Sequence, residues 1–181
     1  MQKKIIMLLL ITTMCFLNAC SIGGVGVFFE SDETKAAKRL EKIIESINNK
    51  DEELLKGLFS QKALDDTTDF DENMLSLFEF IEGEIISWEK SNGLSAFDSI
   101  ENGKKTKLVN SFYYVTTTKE QRYFFLIDDY QIDTINPDNA GLYLLLAVKE
   151  EDEKKIWSGA NKIIYDGDVQ LSPAGICVPL K

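Results

Sequence analysis

The 181-residue chain has no histidine and little cysteine or proline, with three residues of each. Without histidine it cannot form a Ser-His-Asp or Cys-His catalytic site, or a zinc or iron site with a histidine ligand. Two of the cysteines, Cys15 and Cys20, lie near the N-terminus, and the third is Cys177. Cys177 stands between two apolar residues with no basic neighbour, which indicates a packed thiol and not a reactive one.

Basic residues are also few: 20 lysines and arginines stand against 30 acids, a formal net charge of −10. A surface this acidic disfavours nucleic acid and anionic lipid headgroups as partners. The same charge is common in proteins that it merely keeps soluble. Composition therefore predicts no nucleic-acid partner and identifies no other partner.

The N-terminus has the pattern of a bacterial lipoprotein signal. Two lysines precede an apolar run, Ile5 to Phe16, and Leu17-Asn18-Ala19-Cys20 follows it. The run is shorter than the roughly 20 residues of a membrane-spanning helix, and its basic start is typical of a cleaved export signal. We expect Cys20 to carry lipid that anchors the protein on the extracytoplasmic side of the cell membrane. The alternative is an ordinary secretory signal that happens to contain cysteine.

This signal divides the chain into a signal peptide at 1–19, a tether at 20–31 and one α+β domain at 32–181. The tether holds three glycines, which loosen the backbone. Its Val25, Val27, Phe28 and Phe29 are unusual for a linker, and we expect them on the membrane surface or on the folded domain. Because Cys15 leaves with the signal and Cys20 carries lipid, we expect no intrachain disulfide.

The apolar pattern is helical from residue 32 and strand-like from residue 84. Helical spacing and capping residues predict three helices and a polar connection before the last of them: Asp32–Ile47, a helix capped by Asp51, a connection at Ser60–Thr68, and a helix from Asp71 to a stop at Gly83. Strand signals follow at Glu84–Lys90, Leu94–Ile100, Thr106–Thr117, Gln121–Ile132 and Gly141–Lys149. Asn102-Gly103 is a two-residue hairpin signal, and the tail from Ile156 has no clear period.

Helices followed by long strands predict an α+β domain with N-terminal helices packed on one face of a curved antiparallel sheet. In the strand around residue 113, apolar side chains occupy both alternating positions: Phe112 and Tyr114 alternate with Tyr113 and Val115. The second face of the sheet must then be covered by the tail, by a partner or by a ligand.

The order of these segments resembles the nuclear transport factor 2-like, or cystatin-like, fold. The residues that carry this resemblance are Asn49-Lys50-Asp51, Leu54-Leu55 and Leu58-Phe59-Ser60. The chain also resembles a group of small bacterial lipoproteins that share a domain of unknown function, at Phe78–Gly83, Ile85-Ile86-Ser87, Pro137-Asp138-Asn139, Gly141-Leu142 and Gly175-Ile176 with Pro179. The resemblance covers Asp32 to Pro179 and implies a conical domain. It supplies no catalytic motif and no cofactor.

A non-catalytic binding module is the function that we expect first, because the resemblance implies a cone that often encloses a pocket between helices and sheet. Five aromatic side chains could line such a pocket with apolar bodies and polar tips: Trp88, Tyr113, Tyr114, Tyr123 and Tyr130. Packing in the core or on the sheet surface is the alternative for each of them.

An enzyme is the second hypothesis. Ketosteroid isomerase, which belongs to the same superfamily, transfers protons with a carboxylate and a tyrosine. Here Asp128, Asp129 and Tyr130 follow one another on a predicted strand, and a buried aspartate beside a tyrosine can act as a general base. No position matches a specific catalytic motif, so these residues are candidates only.

Protein–protein interaction is the third hypothesis, either as a homodimer through the open sheet face or as binding of a partner such as a secreted toxin. No metal site is expected. The acids of the connection are dense enough to attract calcium, but they lack the spacing and the glycine of an EF-hand loop: Asp65, Asp66, Asp69 and Asp71. Helix capping and a solvated loop explain them better.

Overall fold

Four helices precede the strands in the computed structural model, which describes residues 30–91, 93–159, 162–165, 168–171 and 174–179. They are α1 (Asp32–Asn49), α2 (Glu52–Leu58), α3 (Gln61–Asp66) and α4 (Phe70–Phe80). Ser31 caps α1 by accepting a hydrogen bond from the Thr34 amide at 3.1 Å. None of the helices in this described part of the chain is long and apolar enough to cross a membrane.

The third helix corrects the sequence-based prediction of a polar connection at Ser60–Thr68. The Ser60 hydroxyl accepts a hydrogen bond from the Ala63 amide at 3.1 Å and caps α3. Ala63 is the one fully buried residue of this six-residue helix, so the apolar pattern that would reveal it is missing. The next helix begins at Phe70 rather than after Asp71, with Asp69 preceding it at a φ of 58°.

Six strands form a mixed sheet in the order β1-β3-β4-β5-β9, with β2 also paired to β3. Their bounds are β1 (Ile85–Lys90), β2 (Ser95–Glu101), β3 (Lys104–Thr117), β4 (Arg122–Asp133), β5 (Gly141–Lys149) and β9 (Gly175–Cys177). The predicted antiparallel sheet is correct for β1 to β5 and wrong for β9, which pairs parallel to β5. Parallel pairing of two strands needs a long connection between them. Here the tail supplies this connection, and its sequence has no periodic pattern from which β9 could be predicted.

The hairpin between β2 and β3 confirms the predicted turn. Asn102 and Gly103 have φ angles of 50° and 77°, and Glu101 pairs with Lys104. Two positive φ angles are what a type I′ turn requires, and asparagine followed by glycine adopts them at low cost.

The part of the chain between β5 and β9 contains a short 3-10 helix, Glu150–Lys155. Three short antiparallel strands follow and form a second sheet that the sequence did not predict: β6 (Ile156–Gly159), β7 (Lys162–Tyr165) and β8 (Asp168–Leu171).

One face of the main sheet packs against the helices, as the sequence predicted. Side chains from both layers are fully buried there, among them Leu40, Ile43, Leu55 and Leu77 from the helices and Tyr113, Phe125 and Leu145 from the strands. Burial of each such side chain contributes about 1.5–3 kcal/mol. Asn48 joins the end of α1 to β1, because its amide group bonds both the N–H and the carbonyl of Ile85, at 2.8 and 2.9 Å.

The opposite face, which we call the outer face, has an apolar cluster of its own. Its buried members are Phe124, Leu126, Leu144, Leu146, Val148 and Cys177. Ile156 packs against this cluster, so two residues of the tail, Ile156 and Cys177, supply part of the cover that the sequence left open. Cys177 is 8% exposed, as expected of a packed thiol.

Candidate functional site

Asp129 lies on the helix-facing side of β4, where α1 neutralises it. Arg39 donates from Nε to Oδ2 at 3.0 Å and from Nη2 to Oδ1 at 3.3 Å. The Asp129 side chain is 6% exposed. A two-pronged guanidinium–carboxylate contact compensates a buried charge and fixes geometry, so this acid connects α1 to the sheet.

Asp128 points to the outer face, because successive side chains of a strand alternate between its two sides. It stands opposite Asn110 of β3, whose Nδ2 donates a hydrogen bond to Oδ1. Burial raises the pKa of Asp128 to about 6, and the bond from Asn110 opposes this rise only in part. Within the described residues, its hydrogen-bond partner is this neutral amide, and no ion pair reaches it.

Two tyrosines extend the polar surface around Asp128. Tyr130 follows two residues later on β4, and its ring meets that of Tyr143 edge to face, with centroids 6.0 Å apart. Burial, then the charges of Asp128 and Asp133, raise the pKa of Tyr130. Burial and a hydrogen bond to Asp66 raise the pKa of Tyr143 to about 12. Both phenols therefore stay protonated at neutral pH.

The position of Tyr143 follows from an irregularity in β5. Asp128 pairs with Leu144 while Asp129 pairs with Leu142, which leaves Tyr143 as an extra residue. Such a bulge redirects a side chain, and here the Tyr143 hydroxyl donates to Asp66 of α3 at 3.1 Å.

The start of β5 can approach the helices because residue 141 is glycine. Gly141 has a φ of 127°, and a Cβ atom there would lie 3.0 Å from the Ser60 nitrogen. That close approach permits the Ser60 amide to donate to the Leu142 carbonyl at 2.8 Å. The junction holds α3 against β5, and so brings Asp66 to Tyr143.

We call Asn110, Asp128, Tyr130 and Tyr143 the outer polar strip. The first three lie on the outer face, and Tyr143, which also packs against the helix-facing core, joins them through its contact with the Tyr130 ring. All four are half-buried, so each has a surface that solvent or a ligand can reach. Asp66 at the end of the strip is already paired, because Lys62 Nζ lies 2.6 Å from both of its oxygens. That bond lowers the pKa of Asp66, in contrast to Asp128.

Three of the five predicted pocket aromatics lie on the helix-facing side. Tyr113 is 1% and Tyr123 0% exposed, and the Trp88 ring packs edge-on against Tyr113 at 5.5 Å. The Tyr123 hydroxyl accepts a hydrogen bond from the Glu82 amide at 3.0 Å and donates to the Phe80 carbonyl at 3.2 Å. These contacts make the three residues part of the packed interior.

The other two aromatics lie on the outer face, so the structure does not bring the five together. Tyr114 donates to Glu153 at 2.7 Å, and the Arg122 guanidinium lies 5.1 Å from its ring centre. Both therefore share a face with Asp128, and Tyr130 is the one of the two that belongs to the outer polar strip. Of the two candidate acids, Asp128 therefore shares its face with a tyrosine, and Asp129 has an arginine.

Sequence reasoning missed Asn110 and Tyr143 as members of this surface. Asn110 had a signal, since it is a polar residue inside a long run of strand-forming residues. Its partner, however, depends on the register that sets Asn110 opposite Asp128. No sequence pattern identified Tyr143, because the direction of its side chain depends on the bulge in β5.

The four acids considered for calcium are used otherwise in the structure. Asp66 pairs with Lys62, Asp71 with Lys56 at 2.7 Å, and Asp65 accepts from Gln61 at 2.8 Å, while Asp69 precedes α4. In the described ranges, no three cysteine or acidic side chains are arranged to hold a metal ion.

Chemically, the outer polar strip offers a carboxylate that titrates near neutral pH and aromatic rings that present a π-face. A half-buried carboxylate can pair with a cation or exchange a proton.

A family model described as a domain of unknown function, DUF5104, matches residues 42–150. The match begins inside α1 and ends just after β5, so it includes the whole outer polar strip and both aspartates. The comparison with curated proteins returned no match. Because the family model covers more than half of the sequence, the chain belongs to the DUF5104 family, a domain of unknown function.

Proposed function

We propose that this protein is a lipoprotein, anchored through lipid on Cys20 to the extracytoplasmic side of a bacterial membrane, and that its domain is a non-catalytic binding module. The N-terminal lysines, the short apolar run and the small residue before Cys20 support the anchor. Asp128 carries the binding role, because its half-buried carboxylate meets a neutral amide and no cation among the described residues.

An uncompensated acid in this position has a cost to the fold. Burial of an ionised carboxylate is unfavourable unless a cation or several donors compensate it. Its neighbour Asp129 receives this compensation from Arg39. A ligand that pairs with Asp128 would compensate it in the same way, which gives a physical reason for an acid at this place.

We also propose that the domain has the conical shape of the nuclear transport factor 2-like fold. Support comes from the order of helices and long strands, and from register shifts in the β1–β3, β3–β4 and β4–β5 pairings. Bulges of this kind bend and twist a sheet. An experimental structure with a flat sheet would contradict the cone and leave the binding role intact.

The hairpin of β2 and β3 is proposed as the part of the domain that meets the membrane. Lys107 Nζ lies 2.7 Å from Asp32 Oδ2 and 3.4 Å from Asp98 Oδ2, so the first residue of α1 lies beside this hairpin. The first helix of the domain therefore begins beside this hairpin. Phe97 and Ile100 of β2 are 61% and 70% exposed. Their contact with lipid would be apolar, so it does not depend on attraction between the acidic protein and anionic headgroups.

The anchor is tested by expressing the full-length chain and the variant Cys20→Ser in a bacterium. We expect the wild-type chain in the membrane fraction, where detergent but not high salt releases it. The variant should lose this behaviour, and recovery of both chains in the same fraction would contradict the anchor.

The binding role is tested by a thermal-shift screen of small polar and amphipathic compounds against the full-length chain in detergent. Compounds that raise the melting temperature should act on wild type and on the control variant Asp98→Asn, an exposed acid of β2, but not on Asp128→Asn. If no compound stabilises the chain, or if Asp128→Asn responds equally, the binding role at this site is wrong.

A proton-transfer enzyme is the second candidate function, favoured by the pKa of Asp128 near 6 and by Tyr130 on the same face. A base with this pKa works well at neutral pH, and a phenol can donate a hydrogen bond to the developing oxyanion. The test is deuterium exchange at the carbon next to the carbonyl of small ketones. Catalysed exchange that Asp128→Asn reduces by about 100-fold would support this candidate.

A further inference from the structure

We propose that the outer polar strip binds an organic cation, a primary or quaternary ammonium group, with the Asp128 carboxylate as its counter-ion and the Tyr130 ring as its aromatic wall. This inference rests on the proposed binding function and specifies its ligand class.

The first argument is charge. Four acids lie on or next to this part of β4, and protein cations pair with two of them: Asp129 with Arg39, and Asp66 with Lys62. A third, Asp133, accepts hydrogen bonds from the Ile135 and Asn136 amides and from Asn139. Asp128 has the Asn110 amide instead. Within the described residues, Asp128 therefore lacks a positively charged partner, which a cationic ligand would supply.

The second argument is the aromatic surface. The Tyr130 and Tyr143 rings meet at 88°, with centroids 6.0 Å apart, and thus form a corner. The Tyr143 hydroxyl is bonded to Asp66, which holds its ring in place. Ammonium groups bind the faces of tyrosine rings, and do so better where water is excluded.

The third argument excludes other ligand charges. Anions would meet Asp128 and Asp133, in a chain whose formal net charge is −10. A neutral polyol could bond the phenols, but would leave the Asp128 carboxylate uncompensated. The remaining class is a cation small enough to fit beside the rings.

The titratable groups that face Asp128 are Tyr130 on β4 and Tyr143 on β5, and both phenols have raised pKa values. They stay neutral between pH 5 and 8, so Asp128 is the group that titrates. With a pKa of about 6, the fraction of ionised Asp128 falls to about one tenth at pH 5. Affinity for the cation should therefore fall about tenfold between pH 7.5 and pH 5, and binding near pH 6 should release up to about half a proton per site.

The probes are choline and butylammonium, with 3,3-dimethylbutan-1-ol as the neutral isostere of choline, titrated by calorimetry into the full-length chain in detergent. We expect both cations to bind and the isostere not to bind. Asp128→Asn should weaken cation binding at least tenfold, while Asp98→Asn leaves it unchanged.

A matched pair at Tyr130 tests the aromatic wall. Tyr130→Phe keeps the ring and should retain affinity, whereas Tyr130→Leu should lose about fivefold. Equal losses in both variants would show that the hydroxyl and not the ring contacts the ligand, which would overturn this part of the inference. The melting temperature of each variant, measured without ligand, controls for folding.

The outcomes separate this inference from the function on which it rests. Equal binding of choline and its neutral isostere overturns the cation class. Neutral or anionic compounds that stabilise wild type but not Asp128→Asn, with no response to either cation, overturn the inference and leave the binding function standing. If no compound of any class depends on Asp128, both are wrong.

Discussion

On the helix-facing side of β4, Asp129 is paired with Arg39 by two hydrogen bonds, and one residue earlier Asp128 meets Asn110 on the outer face. The two acids share a strand, but among the residues that the structure describes only Asp129 has a cation. Packing explains Asp129, because its pair joins α1 to the sheet. Within the described part of the chain no such contact explains Asp128, and we infer that function does.

The largest effect should come from breaking the pair on the helix-facing side. Asp129→Asn leaves the Arg39 guanidinium, 26% exposed, without its counter-ion. Loss of one partner of a fully buried pair costs about 3–5 kcal/mol, and the partial exposure of Arg39 lowers this to about 2–3 kcal/mol. Urea unfolding measures the change, with Glu79→Gln, at an exposed position of α4, as the control that should stay within about 0.5 kcal/mol of wild type. An equal response of the two variants would contradict the role given to the pair.

A somewhat smaller effect should follow from Gly141→Ala, which tests how the outer polar strip is positioned. A Cβ atom at a φ of 127°, 3.0 Å from the Ser60 nitrogen, strains the backbone, at a cost of about 1–3 kcal/mol. The start of β5 must move, and Tyr143 moves with it. The solvent exposure of Tyr143 should rise in this variant. Fluorine NMR of the chain labelled with fluorotyrosine measures this exposure. A control at Gly57→Ala, where a Cβ atom meets nothing within 4 Å, should leave Tyr143 unchanged.

On the outer face the sign should reverse, because Asp128→Asn removes an uncompensated charge. The folded pKa of about 6 lies above the ordinary value of 3.8, so ionisation of Asp128 opposes folding. Its stabilising contribution is complete below about pH 4 and is lost as the pH rises through 6. Asp128→Asn should thus be more stable than wild type by about 1–2 kcal/mol at pH 7.5 and equal to it at pH 4. Urea unfolding at the two pH values measures this, and a variant less stable than wild type at pH 7.5 would contradict the account.

The smallest effect on stability should come from the exposed apolar side chains of β2. The double variant Phe97→Ser, Ile100→Ser changes side chains that are 61% and 70% exposed, so unfolding should shift by about 0.5 kcal/mol or less. In vesicles that carry the full-length chain, hydrogen exchange of the hairpin amides should be faster in this variant, because membrane contact is lost. Leu75→Ser, at an exposed apolar position of α4, is the matched control and should leave that exchange unchanged. Equal exchange in all three chains would contradict the membrane contact.

Local chemistry made part of this fold predictable. The Asn102-Gly103 turn and the Asp51 cap depend on neighbours in sequence, and both are present in the structure. The alternation of Tyr113 and Tyr114 showed that both faces of the sheet bury apolar side chains. The sequence could not show which aromatics share a face with which acids, because that depends on pairing across strands.

The rest of the fold depends on contacts between distant residues. The helix α3 has one fully buried residue and therefore no apolar stripe. The parallel strand β9 depends on where the tail returns, and the outer polar strip depends on the bulge at Tyr143. For the same reason, the sequence treated Asp128 and Asp129 as equivalent candidates, and only the register separates them.

The most direct measurement is a carbon-13 NMR titration of the Asp128 carboxyl, with and without choline. We predict a pKa near 6 in the free chain and a fall of about one unit or more when choline saturates the site, because the cation stabilises the ionised form. A pKa near the ordinary 3.9 of an aspartate in the free chain, unchanged by choline, would contradict the claim that Asp128 is an uncompensated acid held ready for a cationic ligand.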